Sequence, residues 1–501
     1  LVPADHYLRR VKALIDFEAF RDLLRDVYSP NRGRPAEDPV LLVKLEFLEF
    51  HYGLSDREVI AEAQVNVAFR FFLDLSLDSP LPSPALLSQF RTRLGEERHQ
   101  ALFDEIVRQA REHGLVKDRL RLKDATHVVA NVAVPAALEL VAQVRQRLLE
   151  ALRPYAPERV AEEEREASII RTATADLKDE ERLAYRVAHL QQIVAWADEL
   201  VAGLGPAPET PDRPRQALER ALALAHKVLA GQEDPPGPDR VRSAVDPDAR
   251  RGKHGDYYDG YQLDLLLDAE SEMITALEVL PGNGDEAAES ERLLRAEETA
   301  HGNDVEALST DGILSTRGEI LRTLEDPQGL GVVVYAPPPV ATRPEGFFGP
   351  EQFTLDEKGE VLTCPGGQQT GLRYPNTHGT GWRFHFRRSQ CRDCLLLGQY
   401  MARVPAKHGR TVVKNDYQAE YDRLRARAQT ARYQEVRREH PKVERKLAEI
   451  MQQHGGRRAR YRGRWRVKVQ YLLLGLVVNI KRMVKCLLGG PVPARLCLAG
   501  T

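Results

Sequence analysis

The chain has 501 residues, with 72 Lys and Arg against 74 Asp and Glu and a formal charge of −2, so any signal for nucleic acid has to be local rather than global. It contains no run of 18 or more apolar residues, and its start, LVPADHYLRR, has no apolar segment of the secretory type, so the expectation is a cytosolic protein without a membrane span. Five cysteines in so long a chain do not make a disulfide framework, and the length predicts two to four folding units.

Residues 1–118 read as a helical domain. Asp38-Pro39 opens DPVLLVKLEFLEF with a capping acid and a proline at the first helical position, and Leu41, Leu45 and Leu48 fall on one face. Ser55-Asp56-Arg57-Glu58 is a capping-box pattern. Ser83-Pro84 starts PALLSQFRTRL, and residues 96–113 form another amphipathic helix closed by Gly114. Short helices joined by tight turns fit a helix-turn-helix DNA reader, with Gln89, Arg91 and Arg93 facing the groove. A helical bundle without DNA is the alternative.

Residues 119–133, RLRLKDATHVVANVA, carry the β-rich, partly alternating pattern of a core strand. Asp124 interrupts it. A carboxylate inside a sheet is costly unless a cation or hydrogen bonds hold it, which makes Asp124 a candidate metal ligand. An exposed sheet face is the other explanation. Residues 134–240 then read as a helical insertion, with long helices over 136–201 and proline-rich breaks at GPAPETPDRPR and GQEDPPGPD.

Strand signals return at Gly260, where YQLDLLLD and MITALEVL predict a hairpin. A helix over 285–298, a short strand ending at Asp311, a helix over 315–324 and the strand LGVVVY follow. Residues 119–133 and 241–336 therefore predict a mixed α/β sheet flanked by helices.

Regular structure is hard to find between 337 and about 411, inside an insertion spanning 337–430. Cys364 and the pair Cys391–Cys394 make half of a zinc-ribbon pattern, with His378, His385 or His408 as the fourth ligand. Reduced thiols without metal are the competing reading. The chain then predicts one long charged helix over 417–454, which carries Glu444. Residues 431–501 close the chain with this helix and a basic tail. Between Arg432 and Lys485 there are 16 Lys and Arg against 4 Asp and Glu. Arg437, Arg438, Arg457, Arg458, Arg460, Arg462 and Arg464, interleaved with Tyr461 and Trp465, suit phosphate contact and stacking on bases.

Along nearly its whole length the sequence resembles the DDE transposases of bacterial insertion sequences. GRPAEDPVLLVKLEFLEFHYGLSDREV and PSPALLSQFRTRLGEE resemble the helical domain before the catalytic core. LKDATHVVANV resembles the motif of the first catalytic aspartate, and ALSTDGILSTRGE that of the second. VDPDARRGKHGDYYDGYQLDLLLDAESEMITALEVLPGNGDE is similar to the second and third core strands. HPKVERKLAEIMQQHGGRRARYRGRWRVKVQYLLLGLVVNIKR is similar to the closing glutamate helix and its tail.

The resemblance implies a ribonuclease H-like core in which Asp124, Asp311 and Glu444 are catalytic and ligate two Mg²⁺ or Mn²⁺, with Asp124 bridging. Two such ions, roughly 3.5–4 Å apart, serve phosphodiester cleavage because hard cations prefer oxygen ligands. The implied reaction is cleavage at transposon ends followed by attack of the freed 3′-hydroxyl on target DNA. The implied partners are the terminal inverted repeats and the target, and the implied assembly is a homodimer. A nuclease of the same fold without strand transfer, and a DNA-binding protein that has lost catalysis, are the alternatives. Where the family often carries an arginine four residues before the glutamate and a lysine seven after it, this chain has His440 and Met451; where many relatives read GYK, it has Gly260-Tyr261-Gln262.

Overall fold

The computed structural model describes residues 1–27, 37–205, 212–232, 237, 239–339, 347–377, 379–400 and 409–489. Six helices come first: α1 (Tyr7–Leu14), α2 (Ala19–Leu23), α3 (Pro39–Tyr52), α4 (Asp56–Val65), α5 (Val67–Phe72) and α6 (Pro84–Glu112). Their ends follow local chemistry. The Asp38 side chain accepts from the Val40 N–H at 2.9 Å, and the Ser55–Glu58 capping box closes in both directions. Gly95, at φ 62°, divides α6 into two helices at the predicted boundary.

Strand β1 (Arg121–Val129) enters the main sheet, and α7 (Ala137–Leu152), α8 (Pro157–Ala173), α9 (Asp179–Gly203) and α10 (Arg213–Ala230) follow. These four helices enclose an apolar cluster of their own, centred on Val141, Val144, Leu190, Ile193 and Leu218. The chain returns through β2 (Arg250–His254), β3 (Asp256–Asp268) and β4 (Ile274–Pro281), then α11 (Glu286–His301), β5 (Ala307–Ser309), α12 (Gly318–Leu324) and β6 (Val333–Tyr335).

The main sheet has the order β2-β3-β1-β5-β6, with β4 also paired to β3. β1 is antiparallel to β3 and parallel to β5, and β5 is parallel to β6. Gly260 pairs with both Arg250 and Val129, so β2 and β4 share the edge of β3 away from β1. Sequence periodicity places the first strand of this return at Gly260; in fact β3 begins at Asp256, and β2 precedes it. Both belong to a polar ribbon that buries no alternating face, which removes the pattern on which strand prediction rests.

Helices α11 and α12 cover one face of the sheet through Leu266, Leu294, Leu308 and Leu321. The other face packs on α17 (Pro441–Ala448) and α18 (Arg464–Leu488), and this core runs without a break into the N-terminal helices through Leu45, Phe103 and Leu473. Asn479 of α18 clasps the backbone of Ile274 in β4, accepting from its N–H at 2.9 Å and donating to its carbonyl at 2.8 Å.

The predicted irregular insertion contains two small sheets: β7 (Thr354–Leu355), β8 (Leu362–Thr363) and β9 (Gln369–Thr370), then β10 (Arg373–Pro375), β11 (Trp382–His385) and β12 (Thr411–Lys414). Helices α13 (Arg388–Arg392) and α14 (Leu397–Tyr400) lie between β11 and β12. The long helix expected over 417–454 is instead α15 (Gln418–Ala428), α16 (Ala431–Glu439) and α17 with a π-helical extension, Glu449–Gln453. Thr430 caps α16 by accepting from the Tyr433 N–H at 3.2 Å, and Pro441 restarts the chain at the first position of α17. Among the described residues no helix is long and apolar enough to cross a membrane.

Candidate active site

Asp124 lies in the middle of β1, opposite Leu265 of β3. In the parallel pair β1/β5, Leu122 is level with Ser309. Asp124 and Asp311 each lie two residues beyond that pair, and Asp311 is one of the charges acting on Asp124. Asp311 follows the end of β5 and its carboxylate caps a 3₁₀ turn, accepting from the Ile313 N–H at 2.9 Å.

Glu444 lies in the first turn of α17, which packs on β1. The start of that helix is tied to the end of β5: His440 Nδ1 is 3.2 Å from Ser309 Oγ, and the Arg437 guanidinium donates to the Thr310 carbonyl at 2.5 Å. His440 is buried, and burial together with Arg437 lowers it to about 4. It is therefore neutral at pH 7, a spacer between α17 and β5.

Asp311 and Glu444 are exposed, while Asp124 is half-buried beneath them. Burial pushes the Asp124 carboxyl up to about 7; the charges of Asp311, Glu286 and Glu444 add to this, and the Ala125 N–H at 2.8 Å opposes it. A fourth acid, Glu286 in the first turn of α11, thus joins the three predicted ones. Lys123 donates to the Glu286 carbonyl at 2.7 Å and pairs with Asp264 at 2.8 Å. Arg317, just after the Asp311 turn, pairs with Asp285 at 2.9 Å. Burial raises the Glu286 carboxyl, against the pull of Lys123. Its sequence context, an acid beside the capping Asp285, is that of an ordinary helix start, which is why sequence reading passes over it.

Among the described residues no three His, Cys, Asp or Glu side chains stand in metal-holding geometry. Burial is the largest cause of the rise at Asp124, and the charges of Asp311, Glu286 and Glu444 add to it. Hard carboxylate oxygens under mutual repulsion are the donor set a divalent cation relieves, so the residues fit Mg²⁺ or Mn²⁺.

The predicted DNA contacts divide into two groups. Gln89, Arg93, Arg438, Arg457, Arg458, Arg462 and Arg464 are exposed. Arg91 is not a groove-facing side chain: it is buried and pairs with Glu49 at 2.9 Å and Asp56 at 2.5 Å. Arg460 also turns inward, to Glu49 at 3.3 Å and over the Phe50 ring at 4.7 Å. Arg437 is committed to the end of β5, and Trp465 packs against the main core. The acids of α3 claim Arg91 and Arg460, a pairing between distant segments that no local pattern records.

Cys364, Cys391 and Cys394 carry free thiols that approach one another: burial raises Cys391, with Cys364 and Cys394 adding. The Arg410 N–H donates to Cys391 Sγ at 3.3 Å. His385 meets Thr411 Oγ1 at 3.0 Å, whereas His378 and His408 lie outside the described residues.

Residues 1–93 match the family model described as a transposase domain (DUF772), and residues 363–484 match the one described as a transposase DDE domain. The chain is a DDE-type transposase of an insertion sequence. The first match takes in α1–α5 and the start of α6 of the transposase, and the second takes in Glu444 and the basic segment after it; Asp124 and Asp311 lie between the two. No curated protein and no solved structure matches the transposase.

Proposed function

We propose that Asp124, Asp311 and Glu444 are the catalytic acids of this transposase, set on a ribonuclease H-like core. The placement of Asp124 and Asp311 two residues beyond the paired Leu122 and Ser309, under a helix that presents Glu444, carries this reading. The sheet order supports the fold: an antiparallel set β4-β3-β1 is continued by parallel β5 and β6. The three carboxylates would hold two Mg²⁺ or Mn²⁺; such ions would supply an activated attacking oxygen and neutralise charge on the leaving one.

The chain's own groups fix where that chemistry happens. β1 holds Asp124, and the turn that leaves the neighbouring strand β5 holds Asp311. His440 and Arg437 set the height of α17 above them, so Glu444 reaches the same opening. Arg457, whose guanidinium donates to the His127 carbonyl at 2.6 Å, places a cation along β1 beyond Asp124, where a phosphate would be drawn. The reaction that follows is hydrolysis at each element end and attack of the freed 3′-hydroxyl on a target phosphodiester. Two ends have to meet for this, so the working assembly is a homodimer.

The test uses the element's own terminal DNA with Mg²⁺ or Mn²⁺. Asp124→Asn, Asp311→Asn and Glu444→Gln each abolish cleavage while the protein still melts cooperatively. Pre-cleaved ends joined by the wild type and not by the variants support strand transfer; cutting without joining reduces the activity to a nuclease. Unchanged cleavage by the Asp124 variant overturns the assignment.

A further inference from the structure

The β2–β3 ribbon extends from the main sheet and contributes none of the four acids, though His254 on its α11 side lowers the Glu286 carboxyl. Its two strands pair from Arg250↔Gly260 to His254↔Asp256, and Gly255, at φ 73°, closes the turn. Its base is tightly fixed. A Cβ on Gly252 would lie 2.1 Å from the Gly282 carbonyl oxygen, and one on Gly260 2.0 Å from that of Val128. β2, β3 and the end of β4 therefore meet backbone to backbone, and the ribbon leaves this junction in a set direction.

Alternation along paired strands sorts the ribbon into two faces. Tyr258 and His254 lie on the α11 side, where Tyr258 donates to the Gly282 carbonyl at 3.0 Å and both rings stand against His127, at 5.1 and 5.0 Å. Arg251, Lys253 and Tyr257 lie on the other face. That is the face of Leu265, which is level with Asp124, because residues 257, 259, 261, 263 and 265 alternate to the same side. Tyr257 is 66 % exposed, an unusual exposure for so large a ring, with Arg251 over it at 5.0 Å and Lys253 at 5.6 Å. The two acids of the ribbon do not cancel this charge. Asp259 is taken by Arg242 at 2.7 Å, and Asp256 lies at the tip.

A second basic segment runs beside it. The Arg457 carbonyl accepts from the Val129 N–H at 2.9 Å, so residues 457–459 flank the end of β1, while the Asp259 carbonyl accepts from the Ala130 N–H at 3.0 Å on its other side. Exposed Arg457, Arg458 and Arg462 thus border the end of β1 on one side, and the ribbon with Arg251 and Lys253 leaves it on the other.

We propose that this ribbon is a second grip on duplex DNA: Arg251 and Lys253, fanned by the Tyr257 ring, contact backbone phosphates away from the one being cut. The inference rests on the catalytic assignment of Asp124. Eight residues of β3 separate the level of Asp124 from Tyr257, about 26 Å at strand rise. That is roughly eight base pairs of B-DNA at 3.4 Å each. The contact is sequence-independent because both cations are held over a ring, pointing at charge and making no fixed donor pattern for base edges.

The test is binding of the full-length protein to a fluorescein-labelled 40-base-pair duplex of arbitrary sequence, measured across a salt series without divalent metal. The double variant Arg251→Ala, Lys253→Ala binds several-fold more weakly at low salt, and its log K against log salt slope is shallower by about 2, near 0.9 for each phosphate that is no longer neutralised. An unchanged melting temperature shows that the variant is folded; Arg251→Gln, Lys253→Gln, which keeps the side-chain bulk, gives the same slope change. A slope and affinity equal to wild type in both variants overturns the ribbon's grip on DNA. Cleavage by Asp124→Asn, measured separately with Mg²⁺, tests the catalytic assignment alone, so its failure and the failure of the ribbon's grip are read from different assays.

Discussion

Replacing Asp124 with Asn removes a charge that the apo-protein holds at a cost, so the variant should be more stable than the wild type while losing activity. The carboxyl sits at about 7 in the folded chain, raised by burial and by Asp311, Glu286 and Glu444, against about 3.9 when unfolded. Its folded form therefore keeps the proton more tightly. The stability it contributes is complete below pH 4, drains away as pH rises toward 7, and is flat beyond. The difference corresponds to about 4 kcal/mol at pH 8, at 1.36 kcal/mol per unit. That is a melting shift on the order of 5–10 °C for a cooperative unit of this size. Melting in EDTA across pH 4–8.5 should show the Asn variant gaining on the wild type with rising pH and levelling near 7. Under the proposed assignment, added Mn²⁺ should raise the wild type more than the variant, which lacks the Asp124 carboxylate. A stability difference independent of pH, or an Asn variant less stable than wild type at pH 8, would refute the picture of acids compressed around Asp124.

Glu286→Gln removes one of the charges acting on Asp124, so the levelling point in the same melting series should move to lower pH; a point that stays at 7 places Glu286 outside the cluster's field. Arg91→Ala strands Glu46, Glu49 and Asp56 beside one another in the N-terminal core and should cost about 3–5 kcal/mol in denaturant unfolding; a fully stable variant that loses only DNA affinity would restore Arg91 as a groove reader. Asn479→Ala leaves the Ile274 N–H and carbonyl without their α18 partner and should cost about 2–3 kcal/mol by the same assay, with cleavage by the surviving folded protein unchanged.

What a sequence shows and what it hides divides here along the range of the interactions concerned. The strand of Asp124, the hairpin β3–β4, the Ser55 capping box and the kink at Gly95 are legible because the residues that cause them lie within a few positions of one another. The polar ribbon is not: Arg251, Lys253 and Tyr257 face outward and leave no alternation to detect. Arg91 and Gln89 lie two residues apart on one helix, and local pattern treats them alike. Their fates differ because α3, some forty residues earlier, turns Glu46 and Glu49 toward Arg91 and not toward Gln89.

The same distinction explains why the catalytic assignment needed a family resemblance before the fold could support it. Nothing around Glu444 marks it among the glutamates of a charged segment, since its meaning comes from His440 and Arg437 being anchored to Ser309 and Thr310, more than a hundred residues away. Sheet register supplies the missing relation. Leu122 is level with Ser309, the two acids lie two residues onward in each chain, and the charge of Asp311 adds to the burial that makes the Asp124 carboxyl hold its proton. A half-buried carboxyl on which three other acids act is costly as scaffolding, and a divalent cation is the kind of partner that would offset that cost, as the proposed assignment requires.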